Sequence, residues 1–215
     1  MEDIFDLTVP GTKTAPISRA PDRGVARRQA FLQAAREVFL EQGYEAASVN
    51  DVVRRAGGSL ATLYAQFGNK EGLFFAVTQD QHERFMRALT PERVDHLPLE
   101  EGLRAIGERY VHALLERDNL AFYRIMIGEA RKFPEQMQRY ISTGGADKVR
   151  DVLAGFLKVH NVMGDNVDAG ASYLLELWRS RHHYRSLADD AYRITDAQLS
   201  EHVANAVTFF LRAAR

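Results

Sequence analysis

The sequence contains no cysteine among its 215 residues. This absence excludes disulfide bonds, thiolate metal ligands, a nucleophilic cysteine and a thiol redox sensor. No apolar run approaches the roughly 20 residues that a membrane-spanning helix requires. The first ten residues carry acidic side chains where a secretory signal needs positive charge. We therefore expect a cytoplasmic protein with no membrane partner.

The sequence also has almost no excess of charge of either sign. Its 28 basic and 29 acidic residues give a formal net charge of −1. Any site for nucleic acid must therefore be a local basic patch on a nearly neutral body. The hydrophobic share of 46% is enough to build a core, which excludes a chain that is disordered throughout.

Residues 1–22 differ in composition from the rest of the chain. They hold three of the six prolines, together with threonine, serine and glycine. Such a segment cannot bury enough apolar surface to offset the entropy of ordering it. We predict a flexible N-terminal arm, and two interpretations stay open for its basic end: a solvated tail, or an arm that contacts the phosphates of a nucleic acid.

From Arg23 onward, apolar residues recur with the period of an α-helix. Glycine and proline divide this pattern into about nine helices, and neither a strand pattern nor an internal repeat is present. The predicted fold is all-α. A three-helix unit over residues 23–70 precedes a C-terminal helical bundle over residues 71–215.

The first unit has the dimensions of a helix-turn-helix. Ser48 can cap a short second helix, and Ser59 can cap a third one that extends to Phe67. On the third helix, Leu63 and Phe67 lie four residues apart and can pack inward, whereas the other side chains have no core to join. A short helix that is exposed in this way fits the major groove of DNA.

The same segment carries a set of residues in a regular register, namely Ala34, Ala35, Phe39, Gly43, Tyr44, Ser48, Val49, Asp51, Ala56, Gly57, Ser59, Thr62, Leu63, Tyr64, Phe67, Lys70, Glu71 and Leu73. In these residues it resembles the TetR family of bacterial transcriptional regulators. The resemblance implies a DNA-binding helix-turn-helix followed by a ligand-binding and dimerisation domain. A weaker resemblance, to an efflux-associated subgroup of this family, lies around residues 122–135.

The resemblance implies which residues contact operator DNA. Hydroxyl groups and Lys70 would contact phosphates, and the amides at the start of the Lys70 helix would add an anion site. Leu60 and Ala61 would face base edges, where apolar side chains can touch thymine methyl groups, so we expect T-rich half-sites. Gly58 departs from the family pattern and is expected to loosen the turn. The predicted DNA-binding residues are Ser48, Ser59, Leu60, Ala61, Thr62, Tyr64 and Lys70.

Large apolar side chains in the C-terminal part are predicted to line a pocket for a small apolar or aromatic effector. The same spacing also fits an ordinary core. Arg124, His182 and Glu129 are candidate polar anchors for the effector, and a structural pair between Arg124 and Glu129 is the alternative. The predicted pocket residues are Met86, Leu89, Tyr110, Phe122, Tyr123, Met126, Trp178 and His182.

The last two helices are predicted to supply a self-complementary surface for a homodimer. A homodimer presents two identical DNA-binding helices related by a two-fold axis, so it requires a palindromic operator. An effector that favours a spacing unsuited to DNA lowers operator affinity, so we expect a repressor that its effector releases. The predicted dimer residues are Leu174, Trp178, Val203, Val207 and Phe210.

The sequence lacks the motifs that would indicate an enzyme or a metal site. The sequence has no metalloprotease, nucleophile-elbow or phosphate-loop motif, and the adjacent His182 and His183 point about 100° apart on a helix. We therefore expect no catalytic residue, no metal site and no cofactor. The alternatives are a transcriptional activator, a helix-turn-helix interaction module without effector release, and an enzyme on an all-helical fold.

Overall fold

The structure, a computed structural model, describes residues 23–89, 96–135, 137–138 and 146–214. Within these ranges the chain is helical and has no strand, which confirms the predicted all-α fold. None of the helices in these ranges combines the length and the apolar character needed to cross a bilayer. The arm predicted over residues 1–22 lies outside the described residues.

Nine α-helices have defined bounds in the described part of the chain. Two of them start with side-chain caps: the Ser59 side chain accepts a hydrogen bond from the Thr62 amide, and Thr195 forms a capping box with Gln198. The helices are α1 Arg23–Ala46, α2 Val49–Ala56, α3 Leu60–Phe67, α4 Lys70–Leu89, α5 Leu99–Leu115, α6 Arg117–Glu129, α7 Ala146–Val159, α8 Val167–Ala188 and α9 Asp196–Ala213.

The helices enclose two hydrophobic cores. The first is built by α1 to α4 around Phe31 and Phe74, and α6 reaches into it through Phe122 and Met126. The second is built by α5, α7, α8 and α9, and the C-terminal half of α4 packs against it. We call the helix-turn-helix part of the chain, α1 to α3, the reading unit. Helices α4 and α6 therefore connect the reading unit to the C-terminal bundle.

Gly58 has a different role from the one expected. A Cβ atom built on this residue would lie 2.5 Å from Cζ of Phe31, whose ring is fully buried. The close contact between the turn and the first core therefore requires glycine at this position. The expectation that Gly58 loosens the turn is wrong, because the residue lets the turn pack tightly.

The second core contains the residues that were predicted to form the dimer surface. Leu174, Trp178, Val203 and Val207 are 0% exposed and Phe210 is 4% exposed. The first four hold α5, α8 and α9 together, so they are not available to a second copy of the chain. Their predicted place on a dimer surface is wrong, because a helical stripe can be covered by the chain's own helices as well as by a partner. Phe210 packs in the same core but also lines a surface groove between α8 and α9.

Candidate nucleic-acid interface and effector cavity

Helix α3 is held by two side chains and leaves its other face in solvent. Leu63 is 0% exposed and Phe67 is 8% exposed, whereas Leu60 is 37% and Tyr64 is 45% exposed. Exposed apolar and aromatic side chains on a short helix are available to a partner. The exposed residues of α3 are Leu60, Ala61, Thr62, Tyr64 and Ala65.

Hydroxyl groups cluster at the start of α3. The Ser59 Oγ atom accepts a hydrogen bond from the Thr62 amide at 3.1 Å and lies 2.8 Å from Thr62 Oγ1. This pair fixes the first turn of the helix while both residues stay exposed. Ser48 stands at the cap position of α2, but its side chain makes no capping hydrogen bond.

Lys70 begins α4 and is tied to the reading unit. Its Nζ atom donates to the Glu45 carbonyl at 2.9 Å and lies 4.9 Å from the centroid of the Tyr44 ring. The Gly72 amide, one of the predicted anion donors, donates to Asn69 Oδ1 at 2.7 Å. The anion site expected at this helix start therefore has one amide already engaged by the chain itself.

Two arginines of α1 join its N-terminal end to the helix-turn-helix. Arg27 Nη1 donates to the carbonyls of Ala56 at 3.2 Å and Gly57 at 2.6 Å. The guanidinium of Arg28 lies 4.6 Å from the centroid of the Phe67 ring. These contacts place positive charge beside α3 although the whole chain is nearly neutral. Both arginines belong to the basic stretch that begins at the end of the predicted N-terminal arm.

A cavity of about 430 Å³ lies in the C-terminal part, mainly among α4, α5, α6 and α8. Its volume falls in the range of small-molecule sites, and most of its wall is apolar or aromatic. The lining residues are Thr78, Gln81, His82, Phe85, Tyr110, Leu114, Asn119, Phe122, Tyr123, Met126, Ile127, Ala130, Met137, Val149, Arg179 and His183.

The cavity brings together four of the predicted pocket residues, namely Tyr110, Phe122, Tyr123 and Met126. The other four predicted residues do not line it. Met86 and Leu89 pack against the second core, and Trp178 is inside that core. His182 instead lies with its Nδ1 atom 2.7 Å from Tyr192 Oη and its ring 4.7 Å from that of His202. Helical spacing did not distinguish a cavity wall from a core contact.

The proposed anchors Arg124 and Glu129 have structural partners instead of a place in the cavity wall. Arg124 donates to the carbonyls of Leu187 at 2.8 Å and Ser186 at 2.6 Å near the end of α8. Glu129 forms an ion pair with Lys132 at 2.9 Å. Neither residue pairs with the other, so the predicted alternative of an Arg124–Glu129 pair is wrong as well.

Two polar residues of α8 line the cavity and were missed as pocket residues. Arg179 lies with Nη1 3.0 Å from Glu176 Oε1 and Nη2 3.4 Å from Tyr110 Oη. His183 is 1% exposed, and its ring lies 5.1 Å from the Tyr123 ring. Burial and the nearby Arg179 charge lower the pKa of His183 to about 4, so this side chain is neutral at pH 7.

A second apolar depression runs between α8 and α9 on the surface. Tyr173 and Phe209 on its edges are 65% and 63% exposed. Helix α8 is interrupted beside it at Ser180, whose φ of 32° lies in the region that favours glycine. We call this surface the α8–α9 groove; its residues are Met163, Tyr173, Glu176, Leu177, Ser180, Phe209, Phe210, Ala213 and Ala214.

Both parts of the chain match known families. Residues 31–77 match the family described as bacterial regulatory proteins, tetR family. Residues 101–214, more than half of the chain, match the AefR-like transcriptional repressor C-terminal domain. The chain belongs to the TetR family of bacterial transcriptional regulators. In this TetR regulator, the described residues contain no group of three or more histidine or acidic side chains that could hold a metal ion.

Individual relatives extend this assignment. The transcriptional repressor ComR of Escherichia coli K12 is 48% identical over 58 residues, which are 27% of this chain and 28% of ComR. The matches to this and the next curated relatives span 28% to 47% of their lengths. Because these matches are short, they support the reading unit and do not carry over what the relatives bind.

Solved structures cover more of this TetR regulator. A TetR-family regulator from Mesorhizobium loti MAFF303099 superimposes with a TM-score of 0.76 at 20% identity, over 89% of this chain and 98% of that one. The flavonoid-responsive regulator FrrA gives a TM-score of 0.73 at 29% identity, over 87% and 96%. The all-α fold therefore extends through both parts of the chain.

Proposed function

We propose that this TetR-family regulator is a repressor that binds a palindromic operator as a homodimer and releases it when a small apolar or aromatic effector enters the cavity. The observation that carries the proposal is the exposed face of α3, which two buried side chains hold in place. An exposed helix of this length at the edge of a helix-turn-helix suits the major groove.

Base recognition in this proposal rests on Leu60 and Ala61. Both lie at the exposed N-terminal end of α3 and neither can hydrogen-bond a base. Their methyl groups suit thymine methyl groups, so each half-site is T-rich. Phosphate contacts come from the surrounding polar side chains, and these position α3 without reading the sequence. The phosphate-contacting residues in the proposal are Ser48, Ser59, Thr62, Tyr64 and Lys70.

The α8–α9 groove is the proposed dimer surface. Tyr173 and Phe209 expose large rings beside an apolar depression. Exposed apolar patches of this kind are typical of protein–protein interfaces. A second copy related by a two-fold axis presents the same groove and rings, which makes the surface self-complementary. This assignment keeps Phe210, which lines the groove, and replaces the other four residues that were expected to pair, which are 0% exposed.

A hydrogen-bond network gives the effector a route to the reading unit. Gln81 and Asn119 line the cavity, and Gln81 Nε2 donates to Asn119 Oδ1 at 2.5 Å. Arg36 of α1 donates from Nε to Gln81 Oε1 at 2.9 Å and also pairs with Asp118. An effector that moves Gln81 or Asn119 therefore changes how α1 is held. If the effector lowers the affinity for operator DNA, operator DNA lowers the affinity for the effector by the same factor.

An aromatic effector fits the cavity wall, which carries Phe85, Phe122 and Tyr123. The name of the structural neighbour FrrA, a flavonoid-responsive regulator, supports the same class of compound. Aromatic ligands stack on such rings and displace water from them. The cavity is therefore proposed to select a flat, largely apolar compound.

The DNA-binding proposal is tested by selecting bound sequences from a random duplex pool. We expect a palindrome with T-rich half-sites for the wild type and altered half-sites for Leu60→Arg. Val25→Arg is the matched control, because Val25 is an exposed apolar residue on α1. Equal affinity for every duplex, or the same half-sites for both variants and the wild type, contradicts the assignment of Leu60.

The dimer proposal is tested by light scattering and by a promoter reporter. Tyr173→Glu combined with Phe209→Glu should give a monomer with weak operator affinity, whereas Tyr184→Glu should stay dimeric. Tyr184 is the control because it is a 57% exposed tyrosine of α8 that does not line the groove. A reporter whose expression falls when the regulator is deleted would favour the activator alternative.

A further inference from the structure

One polar part of the cavity wall lies around Arg179. We call this part the α8 cluster; it consists of Tyr110, Tyr123, Arg179 and His183, and all four residues line the cavity. Arg179 Nη2 lies 3.4 Å from Tyr110 Oη, and the rings of Tyr123 and His183 are 5.1 Å apart. These contacts place the four side chains side by side.

The α8 cluster has hydrogen-bonding atoms that its own chain does not use. Arg179 Nε and both ring nitrogens of His183 are shielded from solvent and have no hydrogen-bond partner in the described part of the chain. Nitrogen atoms that are buried in this way are stabilised by a ligand that supplies the missing partner. The cluster therefore favours a ligand with a group that accepts hydrogen bonds.

The free positions on Arg179 lie along one edge of its guanidinium. Among the described residues, Nη1 is engaged with Glu176 at 3.0 Å, whereas Nε has no partner and Nη2 has only the long contact with Tyr110. In a planar guanidinium, Nε and Nη2 donate in parallel from the same side. This spacing matches the two oxygens of a carboxylate, which can accept both hydrogen bonds at once.

The charge around the cluster favours an anion. None of the described residues that line the cavity is an aspartate or glutamate, and Arg179 is a permanent cation in the wall. Its ion-pair partner Glu176 is outside the cavity wall. An anionic group inside the cavity is therefore attracted to Arg179 more strongly than a neutral group of the same shape.

We propose that the cavity binds an aromatic carboxylate. Its two carboxylate oxygens accept hydrogen bonds from Nε and Nη2 of Arg179, and its aromatic body lies against Phe122 and Met126. The inference rests on the proposed function, in which this cavity is the effector site, and it names the chemical class of the effector. Neutral His183 donates one ring N–H to the same carboxylate.

Calorimetric titration of the full chain with matched acids and amides tests the proposal. The probes are benzoate, naphthoate and biphenylcarboxylate, each compared with its primary amide, which keeps the shape and removes the charge. We expect at least one acid to bind about tenfold or more tightly than its amide. Equal affinity of every acid and its amide, or no binding of any acid at millimolar concentration, overturns the proposal.

Variants place the carboxylate within the cavity. Arg179→Gln should abolish the preference for the acid and leave amide binding unchanged, whereas Arg181→Gln, an exposed arginine of the same helix, should keep it. His183→Leu removes the ring N–H that the proposal gives to the carboxylate and should reduce acid affinity severalfold, which provides a second measurement if Arg179→Gln fails to fold. An unchanged preference in both Arg179→Gln and His183→Leu overturns the assignment.

Operator binding measured with the same probes separates the two proposals. Tight binding of an acid that leaves operator affinity unchanged contradicts effector release but supports the carboxylate site. Release of operator by an amide as readily as by its acid supports effector release and overturns the carboxylate site. Release by the acid alone, lost in Arg179→Gln, supports both.

Discussion

The start of α3 and the proposed effector cavity differ in how completely each satisfies its own polar groups. At the start of α3, Ser59 and Thr62 hydrogen-bond each other and still face solvent. In the cavity, Arg179 Nε and both ring nitrogens of His183 are buried and have no hydrogen-bond partner in the part of the chain that the structure describes. A helix start whose polar groups bond each other keeps its shape without a partner. A cavity with unsatisfied polar groups is stabilised by a ligand that supplies the missing hydrogen bonds.

The largest expected effect is the loss of operator affinity when a negative charge is placed on α3. Thr62→Glu should lower operator affinity about 100-fold, because a carboxylate would face the DNA phosphates. Ser200→Glu, the same change in charge at an exposed position of α9, should leave operator affinity unchanged. Fluorescence anisotropy with the selected operator measures both variants. Equal losses would show that α3 does not differ from the rest of the surface.

Close glycine contacts occur in both cores and provide the next test. Gly58→Ala places a Cβ atom 2.5 Å from Phe31, and Gly107→Ala places one 2.6 Å from both Trp178 and Val203. Each substitution should lower the free energy of unfolding by about 1 to 3 kcal/mol, because tightly packed groups must move. Urea titration measures the change.

Gly155 provides the control for these two glycines. It lies on the exposed side of α7, and a Cβ atom there meets no atom within 4 Å. Gly155→Ala should raise the stability by about 0.5 to 1 kcal/mol, because alanine favours a helix more than glycine does. If all three variants were destabilised alike, close contact would not be the cause.

The cavity should also make stability depend on pH. Because the pKa of His183 in the folded chain, about 4, lies below the usual 6.5, the unfolded chain binds a proton more readily. Stability is therefore lost as the pH falls from about 7 towards 4, by about 1 to 2 kcal/mol at pH 5 from this residue. His183→Leu should remove this part of the loss in urea titrations at pH 7.5 and pH 5.

Other histidines determine what remains of that dependence. Burial also lowers the pKa values of His82 and His182, so the His183→Leu variant should keep a shallower loss of the same sign. His112→Leu, a change at an exposed position of α5, serves as the control and should not flatten the profile as His183→Leu does. Identical profiles for the wild type and His183→Leu would show that His183 is not buried as the structure places it.

The smallest expected effect concerns the arginine that joins α1 to the turn. Arg27→Gln removes two hydrogen bonds to the carbonyls of Ala56 and Gly57 and should cost about 0.5 to 1 kcal/mol of stability. Arg23→Gln, at the exposed first residue of the same helix, should have no measurable effect. Thermal unfolding compares the two variants, and equal shifts would remove the specific role of Arg27.

The sequence predicted the reading unit better than the cavity, and the reason is physical. Ser59 is a local signal that marks the start of α3, and Leu63 with Phe67 marks its buried side, so short-range pattern was sufficient there. The stripes that contain Trp178 on α8 and Val203 on α9 also follow helical spacing, but spacing does not say whether the chain's own helices or a second copy cover them.

Polar residues of the cavity were missed for a related reason. Arg179 and His183 lie on either side of the interruption of α8 at Ser180. No sequence pattern predicts a positive φ at a serine. Gln81 and Asn119 lie 38 positions apart in the chain and meet only after α4 packs against α6. Long-range contacts of this kind become visible only in the folded chain.

Helix α8 separates the cavity from the α8–α9 groove by no more than its own width. Glu176 lines the groove and also holds Arg179, which lines the cavity. In the proposed dimer, the neighbouring copy would rest against the residue that positions the cation for the ligand. Occupancy of one subunit would then alter the affinity of its twin, and the saturation curve would depart from a simple hyperbola.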